Sequence, residues 1–106
     1  MSTKSALNIA KVAMQKYFVE AMRLQEGSSL SAIESTRNDA IAKIKDFASA
    51  KRDAKEMSLT PYEEKSLGTF DAADMIVMHK THLSEDQLYG GGKHGNVYKL
   101  RRIMFK

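Results

Sequence analysis

His79 and His82 stand three residues apart near the end of a helical pattern, so both imidazoles can reach one point, as metal-binding pairs do. Asp86 or His94 would supply a third ligand if the chain folds back, and zinc accepts neutral nitrogens with a carboxylate. Adding Asp71 and Asp74 gives the outline of a metal-dependent hydrolase. Nothing in the spacing demands a metal, however, and charged histidines near a helix C-terminus are also favoured by its dipole. His79, His82, Asp86 and His94 are therefore weak ligand candidates, and no cofactor is expected.

Taken without the histidines, the acids suggest no catalysis. Glu63-Glu64 opens a helix, where acids are expected in any case, and Asp71-x-x-Asp74 reads as part of a polar helix side. Catalysis needs a nucleophile beside a base, or two carboxylates in unlike environments, and neither is evident. The expectation is a protein that is not an enzyme. Gly90-Gly91-Gly92-Lys93-His94-Gly95 invites comparison with a phosphate loop, but the pattern requires serine or threonine after the lysine and a strand before the glycines. A flexible tether fits better.

The strongest chemical signal is a basic end. Lys93, Lys99, Arg101, Arg102 and Lys106 accompany Tyr98 and Phe105, combining phosphate-seeking charge with rings that stack on bases. No acid falls between residues 90 and 106. Removing these five bases from the 17 in the chain leaves 12 against 13 acids, so the rest carries a net −1 within a total of +4. A nearly neutral body carries a cationic tail. No helix-turn-helix, RNP-like or zinc-finger pattern accompanies it, so a dedicated sequence reader is not indicated.

Composition narrows the class further. The 106 residues suit one domain, and 42% apolar with 28% charged residues is too hydrophobic for a fully disordered chain. With no cysteine, disulfides, thiolate metal sites and cysteine nucleophiles are excluded, and a reducing compartment, the cytoplasm, is the default. The longest run of large apolar residues is Met75-Ile76-Val77-Met78, far short of the roughly 20 residues a bilayer span needs. Lys4, Lys11 and Lys16 with no acid before Glu20 faintly resemble a transit peptide, yet such peptides favour arginine and the first here is Arg23. A plain N-terminal helix is the better reading.

These residues must be positioned by helices. The first is expected from Thr3 or Ser5 to Glu26, ended by Gly27, with Leu7, Ala10, Met14, Tyr17, Phe18, Ala21 and Leu24 as its stripe. Ile9, Val12 and Val19 widen that stripe, enough for two neighbours or for a second chain, the latter making a homo-oligomer through this helix. After a short turn, Ser31 and Glu34 form a capping-box pattern for a second, antiparallel helix reaching Met57. Its stripe is Ile33, Ala40, Ile41, Ile44, Phe47, Ala48 and Ala54. Lys43, Lys45, Lys51, Arg52 and Lys55, interleaved with Asp39, Asp46, Asp53 and Glu56, read as a solvated face.

Thr60-Pro61-Tyr62-Glu63 codes a third start with a capping threonine, proline at the first helical position and glutamate at the third. Gly68 should kink this helix or split it, with Phe70, Ala73, Ile76 and Val77 inward and Met75 and Met78 beside them. Ser84 and Gln87 begin a further short turn, and residues 96–106 fit either a helix or a strand.

The expected architecture is a small all-α bundle: an antiparallel helix pair with a kinked third helix in a body of residues 1–89, then a Gly-rich hinge and a basic end over 90–106. The expected function is a non-catalytic regulatory protein acting by protein–protein contact, in the style of small phage or mobile-element inhibitors of host machinery. The partner or nucleic-acid contacts would be Lys93, Tyr98, Lys99, Arg101, Arg102, Phe105 and Lys106. Nucleic-acid binding through that end is the first alternative and the hydrolase the second; no membrane contact is expected.

Overall fold

The computed structural model describes residues 2–23 and 29–81. They form three helices, α1 (Thr3–Met22), α2 (Leu30–Asp53) and α3 (Pro61–Thr81), with no strand among the described residues. The bundle is all-α, as the apolar periodicity predicts. The expected continuation of α1 to Glu26, the hinge, the capping pair Ser84 and Gln87, and the basic end lie outside the described residues.

Contacts between helices fix their directions. Thr3 Oγ1 donates to the Glu56 carboxylate at 2.6 Å, joining the start of α1 to the chain just beyond α2. Tyr17 near the other end of α1 and Arg37 in the first half of α2 both reach Asp74 of α3. α1 and α2 are therefore antiparallel, and α3 returns antiparallel to α2 and alongside α1 in the same sense.

α1 and α2 approach each other most closely, while the α3 backbone stands farther from both. Residue size explains this. Ala6, Ala10 and Ala13 of α1 and Ala40 and Ala48 of α2 are all buried, and methyl-sized side chains let two backbones come together. α3 instead reaches the core with long side chains. Leu67 and Phe70 enter it fully, and the Phe70 ring meets those of Tyr17 and Phe18 at centroid separations of 5.8 and 6.0 Å.

The helix ends differ from the sequence expectation in instructive ways. Ser29, not Ser31, caps α2: its hydroxyl accepts from the Ala32 N–H at 3.0 Å, and Ser31 lies exposed inside the first turn. Both serines precede the apolar stripe, and the one two residues earlier wins because Leu30 can then extend the helix. At the other end α2 stops at Asp53 rather than Met57. Lys55 takes a left-handed conformation (φ 59°), its N–H bonds the Arg52 carbonyl, and the Glu56 N–H bonds that of Lys51. That is a Schellman stop with lysine where glycine is usual, so no sequence signal marked it.

α3 begins where its capping signals place it. The Thr60 hydroxyl accepts from the Glu63 N–H at 3.2 Å, and the Glu63 carboxylate accepts from the Thr60 N–H at 2.9 Å. The helix then runs as one element through Gly68 to Thr81, so of the two expected alternatives the split does not occur. One glycine costs only about 1 kcal/mol against alanine, less than the burial of Leu67 and Phe70 on either side contributes.

Candidate functional site

The stripe of α2 that faces the core is not wholly apolar. Among Ile33, Ala40, Ile41, Ile44, Phe47 and Ala48 stand Arg37 and Lys51, each only 1% exposed. Lys51 was expected on the solvated face; it lies inside. Ala54, expected in the stripe, is exposed beyond the end of the helix. The inward line of α3 runs through Glu63, Leu67, Phe70 and Asp74, four and three residues apart, so Asp74 occupies a core position rather than the polar side. Ile76 is correspondingly exposed instead of buried, and Val77 packs partly against the core.

Each buried cation has a buried acid. Arg37 donates from Nε to Asp74 Oδ1 at 2.5 Å and from Nη2 to Oδ2 at 2.7 Å, a fork that matches the carboxylate's two oxygens. The Tyr17 hydroxyl donates to the same Oδ1 at 2.7 Å. Burial foremost, and then the Asp74 charge, push the Tyr17 phenol far above its ordinary value, so it remains a hydrogen-bond donor. Lys51 donates to Glu63 Oε1 at 2.5 Å, the oxygen that also accepts the Thr60 N–H. The capping glutamate of α3 is thus also the counter-ion of a lysine buried on α2. A one-turn slip of α3 would strand four charges in the core, at several kcal/mol each, so these pairs fix its register.

A pH prediction follows from Glu63. Burial raises its carboxyl, but the Lys51 ammonium and the Thr60 cap outweigh that and hold it below the ordinary 4.5. A depressed folded-state value means stabilisation that is whole above 4.5 and is lost as the pH falls through the lower folded value. Glu63→Gln is expected to cost about 2 kcal/mol at neutral pH, with that deficit closing on acidification below 4.5. Urea unfolding of both proteins across the acid range measures it; a deficit independent of pH would refute the pairing.

Asp74 is buried and held by Arg37 and Tyr17. His79 is exposed on α3, while His82, Asp86 and His94 lie outside the described residues. Among the described residues no three His, Asp or Glu side chains gather as metal ligands. Lys93, Tyr98, Lys99, Arg101, Arg102, Phe105 and Lys106 also lie outside them.

The accessible chemistry is on the surface. Val12 and Val19, 54% and 52% exposed, line an open hollow of about 470 Å³ with Gln15, Lys16 and Glu20 of α1 and Thr36 of α2. Ile9 and the 81%-exposed Met22 extend the apolar surface along α1. Ile9, Val12 and Val19 are the residues that widen the α1 stripe in the sequence; α2 and α3 cover the other side of that helix and leave this one open. No family model, curated protein or solved structure matches the chain.

Between α1 and α3 lies a second depression of about 310 Å³, floored by Met14 and Phe18 and flanked by Lys11, Tyr62, Lys65 and Thr69. The Lys11 ammonium donates to the Tyr62 hydroxyl and sits 4.7 Å from its ring centroid. That contact holds the exposed Tyr62 phenol below its ordinary value. No helix among the described residues is long and apolar enough to cross a membrane.

Proposed function

We propose that the protein is a non-catalytic binding module that acts by occupying a surface of another protein through the outer face of α1. The supporting observation is the hollow lined by Val12 and Val19, where large apolar side chains stay in water although the helix has two neighbours that could have covered them. Lys16 and Glu20 at its edge give charges of both signs, which suits a protein surface better than a polyanion. A role of this kind fits inhibition of a larger machine by blocking one of its contacts.

The test is capture of partners from a native lysate by the full chain, identified by mass spectrometry and repeated after nuclease treatment. A partner retained after nuclease and after charge reversal at Arg101 and Arg102, but lost with Val12→Asp and Val19→Asp together, supports the reading. Both positions are solvent-facing, so the doubly substituted chain should keep its helical circular dichroism. A partner that survives those changes would rule out this face.

The basic end favours a second reading, contact with nucleic acid. Five bases without an acid over 17 residues would neutralise several phosphates, and such binding weakens by orders of magnitude between low and moderate salt. Absence of a gel shift at low salt would end it.

A further inference from the structure

The depression between α1 and α3 differs in charge from the hollow on the outer face of α1. Its floor is apolar, from Met14 and Phe18, and its flanks carry Lys11 and Lys65 with no acid among the lining residues. Phe18 belongs to the core aromatic cluster, 5.6 Å from the Tyr17 ring, so the floor is rigidly backed. Lys11 is held toward the groove by its contacts with Tyr62 rather than swinging free. The Ser66 and Thr69 hydroxyls are turned to backbone carbonyls of α3 itself, at 3.0 and 2.8 Å, leaving little hydroxyl donor capacity for a ligand.

Size decides what could sit there. At about 310 Å³ the groove stands at the lower limit of small-molecule sites, and it is open along its length, so it cannot enclose most of a compact ligand. It can take a few side chains from a segment whose remainder lies outside. Two helices running in the same sense with an apolar trough between them offer the seat that a further helix uses. The cationic flanks fix its charge.

We infer that the α1/α3 groove, through Met14, Phe18, Lys11 and Lys65, docks an acidic amphipathic helix of a partner protein. Apolar residues of that helix at i and i+4 enter the trough, and its flanking carboxylates meet the two lysines. The inference rests on the reading of the chain as a binding module and adds a second contact, separated from the outer face of α1 by Gln15, which borders both.

The experiment titrates the full chain into two fluorescein-labelled synthetic helical peptides that share leucines at i and i+4. One is flanked by glutamates and the other by lysines. The glutamate peptide should bind at least about tenfold tighter, and added salt should narrow the difference. Lys65→Glu should weaken it by about tenfold, and Thr69→Trp, which fills the trough from an exposed position, should abolish it. Arg52→Glu, an equal charge change on exposed α2, should leave it unchanged, as should Val12→Asp with Val19→Asp. Equal affinity for both peptides, no binding of either, or binding indifferent to Thr69→Trp would overturn the inference. Loss with the Val12 and Val19 changes instead would reassign the peptide to the outer face and overturn it as well.

Discussion

Arg37→Met should destabilise the protein by about 3–5 kcal/mol, because it leaves the Asp74 carboxylate buried without its counter-ion. Against a typical total of about 5–15 kcal/mol, that is a large share. Asp74→Leu alone should cost as much, since it strands the Arg37 guanidinium at a site 1% exposed. The informative variant carries Arg37→Met, Asp74→Leu and Tyr17→Phe together. It removes both charges and also the phenol that would lose its acceptor, and it should return to within about 1 kcal/mol of the parent or exceed it. Chemical denaturation of the three proteins gives the free energies directly. Single changes that each cost under about 1 kcal/mol would show that the network is solvated, contrary to its burial.

Phe70→Ala should cost about 3–5 kcal/mol, and its effect should be uneven across the bundle. Phe70 is fully buried against Tyr17 and Phe18 and is the largest apolar side chain that α3 commits to the core. α1 and α2 are joined by close backbone approach over buried alanines, whereas α3 stands farther from both. Removing the ring leaves α3 attached by Leu67, the partly buried Val77, side-chain hydrogen bonds from Tyr17 and Lys11, and two ion pairs whose net contribution after desolvation is small. Amide hydrogen exchange should therefore accelerate in residues 61–81 well before it does in the middle of α1 and α2. Uniform acceleration in all three helices would mean that the bundle opens as one unit.

The placement of charge in this fold was only half legible. Helical spacing brings Arg37 and Lys51 onto the same side of α2 as Ile33, Ala40, Ile44 and Phe47, and Asp74 into line with Leu67 and Phe70. A reading that admits only apolar residues to the stripe passes over them. The available signal was the interruption itself: two cations at stripe positions of α2 and two acids at stripe positions of α3, complementary in sign if the helices run antiparallel. Apolar type weighed above spacing likewise puts Ile76 on the inward line of α3, where it is exposed, whereas Phe70 and Val77 of that line do face the core.

The sequence by itself determined that the described residues are helical, where α3 starts, and that α1 carries more apolar surface than one neighbour can cover. Those properties follow from local rules: periodicity, a reciprocal cap and residue type. Only the tertiary structure decided that Ile9, Val12 and Val19 are the uncovered part, that Ser29 and Lys55 bound α2, and that Arg37, Lys51, Glu63 and Asp74 lie in the core. A charge enters a core only when an opposite charge arrives from another helix. Which of several apolar positions remains in water likewise depends on where the neighbouring helices stand. Both are properties of the assembled bundle, which no single stretch of sequence contains.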